Sequence, residues 1–199
     1  MRVLVVGHSY VRDLATHGPW QQELTLSTGV RVNPAFSFLD YPGKDFDFFL
    51  DHPAWQDRVR EIDPEVVIVV LGGNSIIGSL TNNQIKQKAA AFYLLLKAAV
   101  RPSCLKLAVQ VEPRFVARGN RHGVPEAEEF NRRRQVINNF FNKTLKKQGH
   151  IDRVIQLGSA NYLNHPQYYR DGVHLNNLGL ARYKEALLGG LEYALNLRE

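Results

Sequence analysis

Apolar residues along this chain fall into two kinds of run. Short continuous blocks, rich in β-branched residues and bounded by glycine or proline, mark buried strands; longer stretches with apolar positions three or four apart mark helices. Residues 2–7 are of the first kind, ending at Gly7, and the stretch 8–14 behind them reads as the start of a helix. Residues 30–33 are a weaker strand candidate, followed by an irregular stretch through Tyr41, Pro42 and Gly43 and a helical pattern over about 46–60. Pro64 then precedes the strongest strand, residues 65–71, where Val66, Val67, Ile68, Val69, Val70 and Leu71 form the uninterrupted run of a strand covered on both faces. It stops at Gly72 and Gly73. Thr81 or Asn82 caps a long amphipathic helix running to about Val100, Pro102 precedes a strand over 105–111, and residues 113–123 read as a basic loop. Residues 125–148 give the longest helical pattern, with Phe130, Val136, Ile137, Phe140, Phe141 and Leu145 recurring at threes and fours. A short strand over 153–157, an irregular stretch through Pro166 and Tyr169, and a last helix from Asn176 to about Leu195 complete the chain, with Leu180, Tyr183, Leu187 and Leu191 on one side of that helix.

Five strands alternating with helices predict an α/β fold, a three-layer α/β/α sandwich around a mainly parallel five-stranded sheet with right-handed crossovers. At 199 residues and 44% hydrophobic composition, the chain is expected to form one domain over 1–199 with a sizeable core. The longest apolar run, Ala89 to Leu96, closes at Lys97, far short of the roughly 20 residues a membrane-spanning helix needs. One cysteine, Cys104, excludes an intrachain disulfide, and residues 1–7 are too short to be a signal peptide, so an intracellular, cytoplasmic setting is expected. A start directly at a strand also fits a domain cut from a longer protein.

The net charge of +6 resides in one quarter of the chain: residues 101–150 hold eleven lysines and arginines against four acidic residues. Arg114, Arg118, Arg121, Arg132, Arg133, Arg134, Lys143, Lys146 and Lys147 form either a solvated helix face or a footprint, over residues 114–147, for nucleic acid or an anionic membrane.

Parallel sheets bind ligands beyond the carboxyl ends of their strands, which directs attention to the residues just after each one. After the first strand stands Gly7-His8-Ser9-Tyr10-Val11. A serine at this strand-to-helix turn either caps the helix or serves as a nucleophile, with its own N–H and the helix dipole stabilising charge on a reacting carbonyl. After the strand over 65–71, Gly72-Gly73-Asn74 combines small residues that admit a substrate, Gly73 among them, with a side-chain N–H donor on Asn74. Before the last helix, Asp171-Gly172-Val173-His174-Leu175-Asn176 sets an aspartate three residues ahead of a histidine. That spacing lets the carboxylate hold the imidazole N–H and leave the other nitrogen as a base; the alternative is a polar residue at a helix entry.

Taken together, these blocks resemble the SGNH (GDSL-like) hydrolase family over the whole chain and in the family's block order. The resemblance implies a flavodoxin-like SGNH fold and a serine esterase hydrolysing acyl or acetyl esters through an acyl-enzyme, with no metal or organic cofactor. By it Ser9 is the nucleophile, His174 the general base and Asp171 its orienter. The N–H groups of Ser9 and Gly43 and the side chain of Asn74 form the oxyanion hole, Gly43 being assigned by block order. Two positions depart from the family pattern: His8 replaces the aspartate of Gly-Asp-Ser, and Ser75 the second aspartate of Gly-Asn-Asp. The two outer motifs also look like a subgroup found in the first open reading frame of animal retrotransposons, which would give the basic quarter a role. A rival expectation is a binding module that keeps the esterase fold and holds nucleic acid or membrane; an acyltransferase would use the same residues. Phe36, Phe38, Tyr41, Phe115 and Val116 are candidates to line an acyl pocket, or else ordinary packing.

Overall fold

A computed structural model, described for residues 1–20, 22–116, 126–157 and 165–198, places five parallel strands between two helical layers. In chain order the elements are β1 (Arg2–Gly7), α1 (Ser9–Thr16), β2 (Leu24–Thr25), β3 (Arg31–Val32), β4 (Ala35–Asp40), α2 (Phe46–Asp51), α3 (Ala54–Ile62), β5 (Val66–Val70), α4 (Gly73–Ile77), α5 (Asn82–Ala99), β6 (Leu105–Val109), α6 (Ala127–Phe140), β7 (Arg153–Ile155) and α7 (Asn177–Asn196). A π-helical turn, Phe141–Leu145, extends α6, and a 3-10 turn, Pro166–Tyr168, lies ahead of α7. The sheet order is β4-β1-β5-β6-β7, with every pairing parallel. This is the flavodoxin-like order, whose switch point lies between β1 and β5.

The strand period of two explains the layers. Val3, Val5, Val66, Ile68, Val70, Leu107 and Val109 pack against Tyr10, Val11 and Leu14 of α1 and Leu180, Tyr183, Leu187 and Leu191 of α7. Leu4, Val6, Val67, Val69 and Ala108 project the other way, onto Phe46 and Phe49 of α2, Trp55 and Val59 of α3, Phe92 and Leu96 of α5, and Ile137 of α6. With each such side chain contributing about 1.5–3 kcal/mol on burial, the central strands hold the site's floor rigid. β1 and β5 lie so close at their ends that a Cβ on Gly7 would stand 2.1 Å from the Val70 carbonyl oxygen. Only glycine ends β1 there. The long helix α5 starts as expected at Thr81, whose hydroxyl accepts from Gln84 N–H while Thr81 N–H donates to Gln84 Oε1 at 2.8 Å, a reciprocal cap. Among the described residues no helix is long and apolar enough to cross a membrane.

Three expectations are corrected. The sheet's edge strand is β4, not residues 30–33; Arg31–Val32 instead pairs antiparallel with Leu24–Thr25 in a separate two-stranded sheet. An edge strand buried on one side shows only alternation, and Phe36 and Phe38 of β4 turn to one face, where both pack on Trp20 with ring centroids at 4.9 and 5.2 Å. The helical pattern over 46–60 is two helices, because Pro53 has no N–H to donate and ends the first at Asp51. The glycine turn after β5 continues directly into α4, with Gly72 at φ 119°.

Candidate active site

All five strands deliver their carboxyl ends to one edge of the sheet, and a chain of hydrogen bonds joins the loops there. His8 N–H bonds the Val70 carbonyl at 3.3 Å, and Tyr41 N–H bonds the Gly7 carbonyl at 2.7 Å. Tyr41-Pro42-Gly43-Lys44 is a tight turn closed by Lys44 N–H on the Tyr41 carbonyl at 3.1 Å, with proline second and Gly43 third at φ 73°. Asn74 Nδ2 donates to the Lys44 carbonyl at 3.0 Å, so the Gly43 turn and the Gly72–Asn74 turn meet. On the far side, Phe115 N–H donates to the Gly172 carbonyl at 2.9 Å, tying the loop after β6 to the Asp171–His174 loop. The Tyr10 hydroxyl donates to the Val173 carbonyl, tying that loop back to α1.

Asp171 and His174 form the best-defined pair at this edge. Nδ1 of His174 lies 2.7 Å from Asp171 Oδ2, while Asp171 Oδ1 accepts from the backbone N–H groups of Val173 at 2.9 Å and His174 at 2.6 Å. Partial burial alone would raise the carboxyl pKa, but these three bonds outweigh it and hold Asp171 at about 2, ionised throughout the neutral range. An ionised Asp171 only accepts, so Nδ1 carries the proton and Nε2 is left as a base. His174 is 8% exposed and lies edge-on to Tyr10, ring centroids 6.3 Å apart.

Ser9 is the first residue of α1, and the capping role belongs to its neighbour: His8 Nδ1 accepts from Tyr10 N–H at 3.5 Å. The His8 ring is thereby directed along the helix entry, with Nε2 near the Gly73 position, and the imidazole does the capping that an aspartate could do. Burial first, then the charges of Arg114 and His174, lower its pKa to about 3, so His8 is neutral and no proton acceptor at neutral pH. Among the described residues the Ser9 hydroxyl has no hydrogen-bond partner; the structure joins Asp171 to His174 but draws no bond from His174 to Ser9. Ser75 is buried beneath the site, where its hydroxyl accepts from Phe46 N–H at 3.2 Å and so anchors α2.

The remaining expectations separate cleanly. Phe36 and Phe38 pack on Trp20, Tyr41 packs on Phe49 at 5.0 Å, and Phe115 sits edge-on to Tyr169 at 5.0 Å. Val116 lies against Gly172, where an added Cβ would come within 2.8 Å of it. Of this set, Phe115 and Val116 adjoin the Asp171–His174 loop, while Phe36 and Phe38 are partly buried and pack against the core beside Trp20. The basic quarter does not form one outward face. Arg114 is 9% exposed, and Arg133 turns in to the carbonyls of Ile76 and Leu80. Arg134 lies by the Val111 carbonyl, whereas Lys143, Lys146 and Lys147 are exposed; Arg118 and Arg121 lie outside the described residues. Among the described residues, no three His, Cys, Asp or Glu side chains cluster as a metal site would need.

Two residues at the site had no role in the sequence reading. Tyr10 stands inside the Gly7–Val11 block, but nothing in the sequence shows that its hydroxyl holds the histidine loop. Behind it, Glu112 accepts from the Tyr183 hydroxyl, and burial raises its carboxyl pKa to about 7. A lone glutamate leaving a strand signals nothing until α7 is packed over it.

No family model matches the sequence, and no curated protein does. Solved structures do match. The acetyl xylan esterase AlAXEase aligns over 96% of this chain and 100% of its own, at 16% identity and a TM-score of 0.66. A GDSL-like lipase from Bacteroides thetaiotaomicron aligns over 100% of this chain and 89% of its own, at 16% identity and a TM-score of 0.65. A lipase/acylhydrolase from Enterococcus faecalis aligns over 97% and 96%, at 14% identity and a TM-score of 0.62. Across essentially its whole length, the chain has the fold of the GDSL-like esterases, lipases and acylhydrolases.

Proposed function

We propose that this protein is a serine esterase acting on carboxylic esters. The observation that carries the reading is the Asp171–His174 pair, at 2.7 Å, on the same sheet edge as Ser9 and Asn74. Ser9 Oγ attacks the acyl carbonyl as His174 Nε2 takes its proton; the alcohol leaves with that proton, and water, activated by the same nitrogen, releases the acid. Asp171 stabilises the imidazolium formed in both steps. The N–H groups of Ser9 and Gly43 and the side chain of Asn74 receive the oxyanion. The likeness in fold to an acetyl xylan esterase, a lipase and an acylhydrolase supports a carboxylic ester as the substrate class, with a small acyl group such as acetyl first among those to test.

The narrower likeness to a retrotransposon subgroup rests on Gly7–Val11 and Asp171–Asn176 alone. A phosphate-binding role for residues 114–147 loses buried Arg114 and the partly buried Arg133 and Arg134, which bond backbone carbonyls, and so falls among the described residues to Arg132, exposed but paired with Glu129, and the exposed lysines around the π-helical turn. Release of p-nitrophenol from esters of increasing chain length, by the wild type and Ser9→Ala together, tests the esterase reading. Turnover that vanishes in the variant supports it, and equal turnover refutes it. Product analysis with an added alcohol separates hydrolysis from acyl transfer.

A further inference from the structure

We infer that Arg114 is a positioning residue for the oxyanion hole, fixing the amide of Asn74 so that an N–H faces the reacting oxygen. The inference rests on the esterase reading and adds a residue that none of the sequence blocks contains.

Arg114 follows β6 and is held at both ends. Its backbone N–H donates to Asn131 Oδ1 at 3.1 Å and its carbonyl accepts from Asn131 Nδ2 at 2.7 Å, so α6 fixes the main chain. The guanidinium stacks over Phe130, 4.6 Å from the ring centroid, and is carried into the interior of the site. There Nη2 reaches Asn74 Oδ1 at 3.5 Å and lies 3.6 Å from where a Cβ on Gly73 would be.

An asparagine amide has two ends of nearly equal shape, and only the oxyanion-facing choice of N–H assists catalysis. A guanidinium has donors and no acceptor, so the amide end that meets Arg114 must be the oxygen. The Lys44 carbonyl is an acceptor, so the end that meets it must be the nitrogen, as the 3.0 Å contact has it. The two neighbours therefore select one orientation. Nδ2 has two hydrogens, and with one on Lys44 the other remains for an oxyanion. Neutral His8, whose Nε2 lies 3.8 Å from that same Cβ position, does not draw the guanidinium away as an aspartate in its place would.

If Arg114 acts through Asn74, its loss cannot cost more than the loss of the Asn74 donor itself, roughly a hundredfold in kcat. Arg114→Met is expected to lower kcat about ten- to hundredfold with KM within about twofold, and to cost almost nothing further in an Asn74→Ala background. Arg114→Lys keeps one donor and the charge, so it is expected to fall between wild type and Arg114→Met, with the same cancellation; it serves if Arg114→Met does not fold. The Asn74 side-chain amide should also give a resolved, slowly exchanging pair of NMR signals that moves partway toward the exposed amides in Arg114→Lys. Equal losses in both backgrounds, a rise in KM alone, or an unchanged Asn74 signal would overturn the inference while the esterase reading stands. Absence of Ser9-dependent turnover in the wild type would overturn both.

Discussion

Replacing Asp171 by asparagine exchanges one oxygen for an NH2 group and tests the catalytic pair at a magnitude the geometry sets. Oδ1 still accepts from Val173 and His174 N–H, so the loop keeps its shape, and the new amide nitrogen faces His174 Nδ1 where Oδ2 stood. The imidazolium formed in the reaction loses its counter-charge. At about 4 Å between charge centres, that attraction is about 1 kcal/mol in water and about 4 kcal/mol in a surface-like effective dielectric. The Asp171 side chain is 49% exposed, so solvent screening confines the effect to the lower part of that span, about 1–2 kcal/mol, or roughly tenfold in rate. The amide nitrogen also donates where the carboxylate accepted, which favours the imidazole with its proton on Nε2 and removes the base. Reversing that preference costs about another 1–1.5 kcal/mol. Together the loss in kcat is about a hundredfold, with KM little changed. The assay is p-nitrophenyl acetate hydrolysis from about pH 6 to 9, with circular dichroism melts to show the fold intact. Retention of kcat within about threefold across that range would refute the assignment of Asp171 as orienter.

Other substitutions probe the scaffold. Glu112, with its carboxyl pKa raised to about 7, favours the folded state below its unfolded pKa near 4.5, and that contribution is lost as pH rises through 7. Glu112→Gln should therefore flatten the decline in Tm between about pH 5 and 8 and gain on the order of 2–3 kcal/mol at the upper end; an unchanged slope would exclude Glu112 as its source. Gly7→Ala sets a methyl against the Val70 carbonyl and should destabilise by about 3 kcal/mol or more in urea unfolding, whereas a loss under about 0.5 kcal/mol would mean that β1 and β5 separate easily. Thr81→Ala removes one side of the reciprocal cap and should cost about 1 kcal/mol while leaving kcat within about twofold, because the cap bonds of Thr81 go to Gln84 and to no residue of the site; a larger drop in kcat would contradict that separation.

What could be read from the sequence follows from how each residue is constrained. β1 and β5 are covered on both faces, so their runs are continuous, and a five-stranded parallel sheet was within reach of the pattern; its flavodoxin-like order was implied only by the resemblance to the SGNH family. β4 has one covered face and reads as alternation, while Arg31–Val32 borrowed its place because a β-branched residue beside glycine looks like a strand wherever it pairs. Asp171 and His174 lie three residues apart, so their pairing is a local property that spacing predicts. The Gly43 turn reaches Asn74 only through the Lys44 carbonyl, and Arg114 reaches it only because α6 clamps its backbone. Such contacts, 30 and 40 residues apart along the chain, leave no local pattern. The basic quarter misled for the converse reason: charge counts along the chain do not distinguish an arginine that faces water from one, like Arg114 or Arg133, that bonds the interior.

The central claim is that Ser9 is the nucleophile, and covalent capture tests it most directly. Incubation with a fluorophosphonate, followed by peptide mass spectrometry, should place a single phosphonyl adduct on the peptide containing Ser9. Ester hydrolysis should fall in step with labelling, and neither should occur in Ser9→Ala. Full esterase activity in a protein that carries no adduct on Ser9, or an adduct on Ser9 that leaves hydrolysis undiminished, would contradict the account.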